Sequence, residues 1–161
     1  MTQENNKNLV INYSSAKYSW LKTGGKIKNL YKINSQTELI NLFNGNQTIN
    51  KSLLVIGNLS NTLIKDEGFK GIGIKLQGDF ANIQINSDHI LVGAAVLDNY
   101  FSKFCYKKGI KGFEFLYTIP GSIGGNIFMN AGCYNHEIKD KLISVIFFDI
   151  NDKKIYEKNI N

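Results

Sequence analysis

The sequence contains no arginine: all 19 of its basic residues are lysine, scattered along the chain, and against 13 acidic residues they leave a formal charge of +6. Arginine is the residue that grips phosphates and base edges with two parallel hydrogen bonds, so its absence argues against nucleic acid as a partner despite the charge. Cysteine occurs twice, as Cys105 and Cys133. Two is too few for a disulfide framework, and their spacing is not that of a zinc site, so both read as spectator thiols. The two histidines, His89 and His136, have no partner at metal-ligand spacing and read as surface residues. No apolar run approaches the roughly 18 residues that cross a bilayer, and Met1 to Asn12 is polar rather than signal-like. The expectation is a cytoplasmic chain with no membrane partner and no metal. Proline occurs once, as Pro120.

What is present is a core. With 43% apolar residues in 161, the chain can build one domain or two small ones. Tyr18 to Ile27 reads as an extended segment closing on Gly24-Gly25, and Asn29 to Asn34 as the first strand. Ser35-Gln36-Thr37-Glu38 has the form of a capping box, followed by Leu39, Ile40, Leu42 and Phe43 on one helical face and by Gly45 as a stop. Leu53 to Gly57 is a continuous apolar run of strand length, which predicts burial on both faces. Further on, Gly71 to Leu76, Ile83 to Ile85 and Ile90 to Val96 read as short strands with antiparallel pairing. Asp98 is placed to cap a helix carrying Tyr100, Phe101, Phe104 and Cys105 on one side, with Gly109 after its last turn. Leu142 to Ile150 and Lys154 to Tyr156 close the chain as strands. The whole is α+β, with a lobe boundary near residues 76 to 82.

Two loops have the composition of binding sites. Gly57-Asn58-Leu59-Ser60-Asn61-Thr62-Leu63 leaves a buried strand directly, a place where successive amides form an anion nest suited to pyrophosphate; a plain polar turn is the competing reading. Ile119-Pro120-Gly121-Ser122-Ile123-Gly124-Gly125 concentrates three glycines with the proline, as a backbone approached closely by something flat would require. A helix over Asn126 to Ala131 would point its amino end at that group. A tight connection between helices is the alternative. Glu114, between Phe113 and Phe115, is assigned to a solvated face or a structural hydrogen bond rather than to catalysis, and Tyr134 to packing.

Taken together, these blocks resemble a family. Thr23-Gly24-Gly25, Gly57 to Leu63, Asp66 to Gly71, Gly112-Phe113-Glu114-Phe115-Leu116 with Ile119 to Gly125, and Met129-Asn130-Ala131-Gly132-Cys133-Tyr134 are similar to the signatures of the UDP-N-acetylenolpyruvoylglucosamine reductases. The resemblance implies a two-lobed FAD-binding domain of the vanillyl-alcohol-oxidase (PCMH) type. It divides the chain into a polar segment (1–16), a first FAD-binding lobe (17–80) and a second lobe (81–161). Gly57, Asn58, Ser60 and Asn61 would then hold the pyrophosphate of FAD, and Ile119, Pro120, Gly121, Ser122, Gly124 and Gly125 would line its isoalloxazine and ribityl chain. It further implies NADPH as reductant and the enolpyruvyl group of a peptidoglycan precursor as substrate.

The sequence departs from that pattern in places that matter. Leu59 stands where a glycine is expected, putting a Cβ at the phosphate approach and a branched side chain in a left-handed position that costs roughly 1 kcal/mol. Cys133 replaces an alanine, and Asn135 a glycine. The arginine, serine and glutamate of catalysis have no counterpart here, so no catalytic residue is assigned. The expectation is a truncated portion that binds flavin but does not turn over alone. The alternative is a non-catalytic module of a split enzyme whose substrate domain is a separate chain.

Overall fold

A computed structural model describes residues 8–45 and 52–160; the first seven residues of the polar start lie outside the described residues. The first half is a four-stranded sheet in the order β1-β2-β4-β3. Strand β1 (Leu9–Ser14) runs antiparallel to β2 (Lys26–Ile33), and β4 (Phe69–Leu76) lies parallel to both β2 and β3 (Leu53–Ile56). Three expectations need correcting. The segment ending at Asn12 holds a strand, because Val10 and Tyr13 supply an inward-facing row that its polar neighbours obscure. Residues 71–76 belong to the centre of the parallel sheet, not to an antiparallel set. Strand β3 is an edge, with Val55 62% exposed, so its unbroken apolar run does not mean burial on both faces.

Helix α1 is a single turn (Ser15–Tyr18), and α2 (Gln36–Asn44) begins where its cap predicts: Ser35 Oγ accepts from Glu38 N at 3.2 Å. Glu38 reaches one residue further back than a simple box, accepting from Asn34 N at 2.7 Å. Leu39, Leu42 and Phe43 of α2 are buried with Ile33 and Ile74 on one face of the sheet. The other face carries Tyr13, Ile27, Leu30, Ile56, Leu59 and Ile64. A β-bulge between Ile27 and Asn29 lets both Ile27 and Leu30 point into that second cluster.

In the second half, β5 (Ile83–Ile85) and β6 (Ile90–Val92) form the expected antiparallel pair, although the strand stops short of Val96. Helix α3 (Asp98–Lys107) follows, then a 3-10 turn (Glu114–Thr118) and α4 (Ile123–Met129). Val96, Phe101, Cys105, Phe115, Leu116, Ile123 and Ile138 make the third core cluster. Each fully buried apolar side chain contributes about 1.5–3 kcal/mol, so these clusters dominate what holds the elements together. A two-residue hairpin, β7 (Gly132–Cys133) and β8 (His136–Glu137), precedes the final antiparallel pair, β9 (Ser144–Asp149) and β10 (Lys154–Asn159). Phe148 of β9 returns to the first half, its ring 4.9 Å from that of Phe43.

Candidate functional site

The two glycine-bearing loops, distant in sequence, meet in space. Gly57 leaves the carboxyl end of β3 and lies against Ser122: a Cβ on Gly57 would stand 2.7 Å from Ser122 Oγ. Open α/β sheets place ligands beyond the carboxyl ends of their strands, and that is where this contact falls. The second loop is held from behind by residues 94–98, which run beside it. Ile123 N donates to Val96 O at 2.9 Å, Gly124 N to Ala94 O at 2.9 Å, and Asp98 N to Gly121 O at 3.3 Å. Leu97 and Ser122 complete the antiparallel pairing.

The first loop is anchored from the other side. Trp20 N donates to Leu59 O at 3.1 Å and Gly25 N to Ile64 O at 3.0 Å, while Ser15 Oγ bonds Gly25 O at 2.5 Å. Gly24 has a φ of +119°, and a Cβ on Gly25 would collide with Lys65 O at 2.1 Å. The glycine pair is therefore required both for its backbone angle and for its close approach. Leu59 has the left-handed backbone its position predicts, with φ of 54°. Its side chain, however, is 3% exposed and lies in the core with Ile56 and Ile64. This leucine thus turns its side chain inward. Neither Asn58 nor Ser60 is left-handed, so the loop alternates in hand at Leu59, the backbone condition for an amide nest.

Asn58 and Asn61 are exposed and Ser60 half-buried on the first loop; on the second, Ile119, Gly121 and Gly124 are half-buried, Ser122 is buried, and Pro120 and Gly125 are exposed. The helix expected over Asn126 to Ala131 begins earlier, at Ile123, and ends in left-handed Asn130 with φ of 45°. Its amino end thus lies inside the loop motif itself. Glu114 is exposed and accepts from Gly112 N at 2.8 Å, a structural bond. His89, in a turn, is 2.7 Å from Asp88, and His136 is exposed. Tyr134 does not pack: it is 75% exposed, in a left-handed turn with Asn135. Cys105 is buried, and burial together with nearby Glu114 pushes its thiol up to about 11. Cys133 is half-buried.

Sequence reasoning missed one feature. Asp98 does not cap α3; the cap position is Leu97, and Asp98 is the helix's first residue with its side chain fully buried. Burial raises its carboxyl to about 7, with Asn126 pulling partly the other way. An aspartate at a helix start reads as a cap, and only the backbone angles show otherwise.

The arrangement fits a flavin dinucleotide. Gly125 would meet only Ser122 Oγ, at 3.6 Å, if it carried a Cβ, leaving its backbone open to a flat ring. Ile119 gives an apolar flank, whereas Ile123 is buried in the third core cluster, and the loop around Leu59 supplies backbone amides without a cation. A separate cavity of about 500 Å³, lined by Asn12, Lys28, Asp66 and Lys70 among others, shares no residue with these loops.

Comparison with known proteins agrees. The FAD binding domain family matches residues 28–156. UDP-N-acetylenolpyruvoylglucosamine reductase of Pelagibacter ubique is 44% identical over 140 residues, covering 86% of this chain and 46% of the relative. That of Rickettsia felis is 36% identical over 137 residues, covering 85% and 46%. The crystal structure of UDP-N-acetylenolpyruvylglucosamine reductase from Thermus caldophilus superimposes with a TM-score of 0.76 at 28% identity, covering 94% of this chain and 51% of that one. The chain spans about half the length of the curated relatives it matches, the N-terminal half.

Proposed function

This chain belongs to the FAD binding domain family, and from that premise we propose that it is the flavin-holding portion of a UDP-N-acetylenolpyruvoylglucosamine reductase. The observation that carries the reading is the seating of Gly57 on Ser122, which joins a pyrophosphate loop to a ring-binding loop. Residues 17–80 and 81–161 act as the two lobes around the cofactor. Gly57, Asn58, Ser60 and Asn61 hold its pyrophosphate through backbone and side-chain donors. Ile119, Pro120, Gly121, Ser122, Gly124 and Gly125 fix the ring, and Ile123 keeps water from behind it. FAD, when bound, supplies the hydride relay between NADPH and the enolpyruvyl double bond of the nucleotide-sugar substrate.

The chain's own part is to bind and orient. Reduction of a polarised double bond needs a positioned acid and an oriented substrate. Among the described residues no group at the meeting of the loops is placed for either role, and the sequence offers no arginine. Turnover therefore belongs to an assembly with a substrate-binding domain, in a cytoplasmic setting. Titration of the purified chain with FAD, followed by flavin fluorescence and the visible spectrum, tests this. Saturable quenching with a structured flavin band is expected, together with no oxidation of NADPH by the chain and substrate alone. A chain that leaves flavin fluorescence untouched sinks the binding reading, and enzymatic turnover by the chain alone sinks the division of labour.

A further inference from the structure

Behind the second loop lies a polar cluster that flavin binding by itself does not account for. Asp98 Oδ1 and Oδ2 and Asn126 Nδ2 are sealed from solvent without a hydrogen bond of good geometry, although the Asn126 amide is near enough to the carboxyl to pull its pKa down; the two residues are 0% and 4% exposed. They converge at Gly121. A Cβ there would stand 2.5 Å from Asp98 Oδ2 and 3.2 Å from Asn126 Oδ1, so residue 121 must lack a side chain for the pair to sit behind it. The same aspartate donates its backbone amide to Gly121 O. Asp98 is thus tied to the loop by its main chain and turned toward the loop's other support by its side chain.

We infer that Asp98 is a positioning residue for residues 119–122: with Asn126 it forms a buried latch behind Gly121 that fixes the backbone on which the flavin ring rests. This rests on the flavin reading above. A carboxylic acid and a carboxamide are complementary, the acid O–H donating to the amide oxygen and the amide N–H donating to the acid carbonyl, and such a pair would satisfy all three orphaned atoms at once. Buried polar atoms left unpaired are costly, so the pair closes when the loop is ordered against the cofactor. The acid must be neutral to donate. Burial holds the Asp98 carboxyl up to about 7, and no cation stands ready to meet its ionised form. Residues 94–97 and 119–129, which pack on it, contain no titratable group. On its own helix Lys103 and Lys107 are exposed, as are Glu114 and Tyr117 on the 3-10 turn beside α3, while buried Cys105 stays a neutral thiol. Ionisation therefore removes the bond to Asn126 Oδ1 and sets a bare carboxylate oxygen against it, leaving only the Asn126 N–H donating to the carboxylate, and the half-open latch lets the loop loosen.

Equilibrium FAD titrations of the full chain at pH 6 and pH 8.5 test this. For the wild type, affinity should fall about tenfold at the higher pH, the size of one buried hydrogen-bonded pair. Asp98→Asn, which can still pair with Asn126 but cannot ionise, should bind equally at both, and Asp98→Ala should bind more weakly than either at both. The same pH step in the wild type and Asp98→Asn overturns the latch. Should the wild type take up no FAD at any pH, the flavin reading fails, and the latch is judged by hydrogen exchange at the Gly121 to Gly124 amides. Protection lost above pH 7 in the wild type but kept in Asp98→Asn supports it, and equal protection overturns it. If Asp98→Asn does not fold, Asn126→Ala replaces it, and survival of the wild-type pH step in that variant counts against the latch.

Discussion

Leu59 holds two opposing effects in one residue. Its left-handed backbone costs roughly 1 kcal/mol for a side chain with a Cβ, while full burial of a leucine returns about 1.5–3 kcal/mol. Burial wins, which is why a leucine survives where glycine would be the easier backbone. Leu59→Gly should relieve the strain yet destabilise the fold by about 1–3 kcal/mol, adding the entropy cost of glycine; urea denaturation midpoints measure it, and a stabilised variant would contradict it. Asp98 makes a separate prediction about stability. Its folded carboxyl lies above the ordinary value, so the stability it contributes is fully present in acid below the usual carboxylate range and is lost as the pH rises through about 7. Thermal melts should show that decline in the wild type and a flatter profile in Asp98→Asn. Cys105, with its thiol raised to about 11, carries almost no thiolate at pH 8. Brief alkylation of the native chain, mapped by mass spectrometry, should leave Cys105 unmodified. At this scale the sequence announced the left-handed position of Leu59 but not where its side chain goes, because direction depends on which cluster lies beneath the turn.

Elements were legible where the signal is local. The Ser35 cap and the apolar face of α2 follow from spacing alone, and the structure places both as the pattern requires. Ser35→Ala removes an acceptor for the Glu38 amide and should cost about 1 kcal/mol, read as a shift in the urea midpoint; Ser35→Asp should retain most of the stability. Strand β1 escaped notice because asparagines at positions 8 and 12 break its alternation, and its pairing with β2 is a contact no local window contains. The parallel setting of β4 was likewise invisible: a strand's own residues do not say which neighbour runs beside it. Helix α4 begins three residues before its expected start because Ile123 and Gly124 bond backward to Val96 and Ala94, which orders the glycines that composition alone would leave in a loop.

At the scale of the molecule, the halves are tied together by contacts that include two of particular consequence. One is the Phe43 and Phe148 ring pair, which brings the last hairpin onto the first sheet. The other is the Gly57 and Ser122 junction, where a Cβ on Gly57 would meet the Ser122 hydroxyl at 2.7 Å. Gly57→Ala should push the loops apart and weaken FAD binding several-fold while costing little in overall stability, since the position is exposed; loss of both in proportion would show instead that the junction is a folding contact.

The sequence by itself determined family membership, the α+β class and the two loops, because each is written in local residue types: glycines where backbone must approach closely, a cap where a helix starts, apolar runs where a core forms. Tertiary structure alone decided that the loops touch, that Leu59 turns into the core, and that an aspartate resembling a helix cap is a buried acid behind the second glycine loop. Those outcomes depend on which surfaces meet across the chain, and burial, not residue type, sets the charge and direction of a side chain once they do.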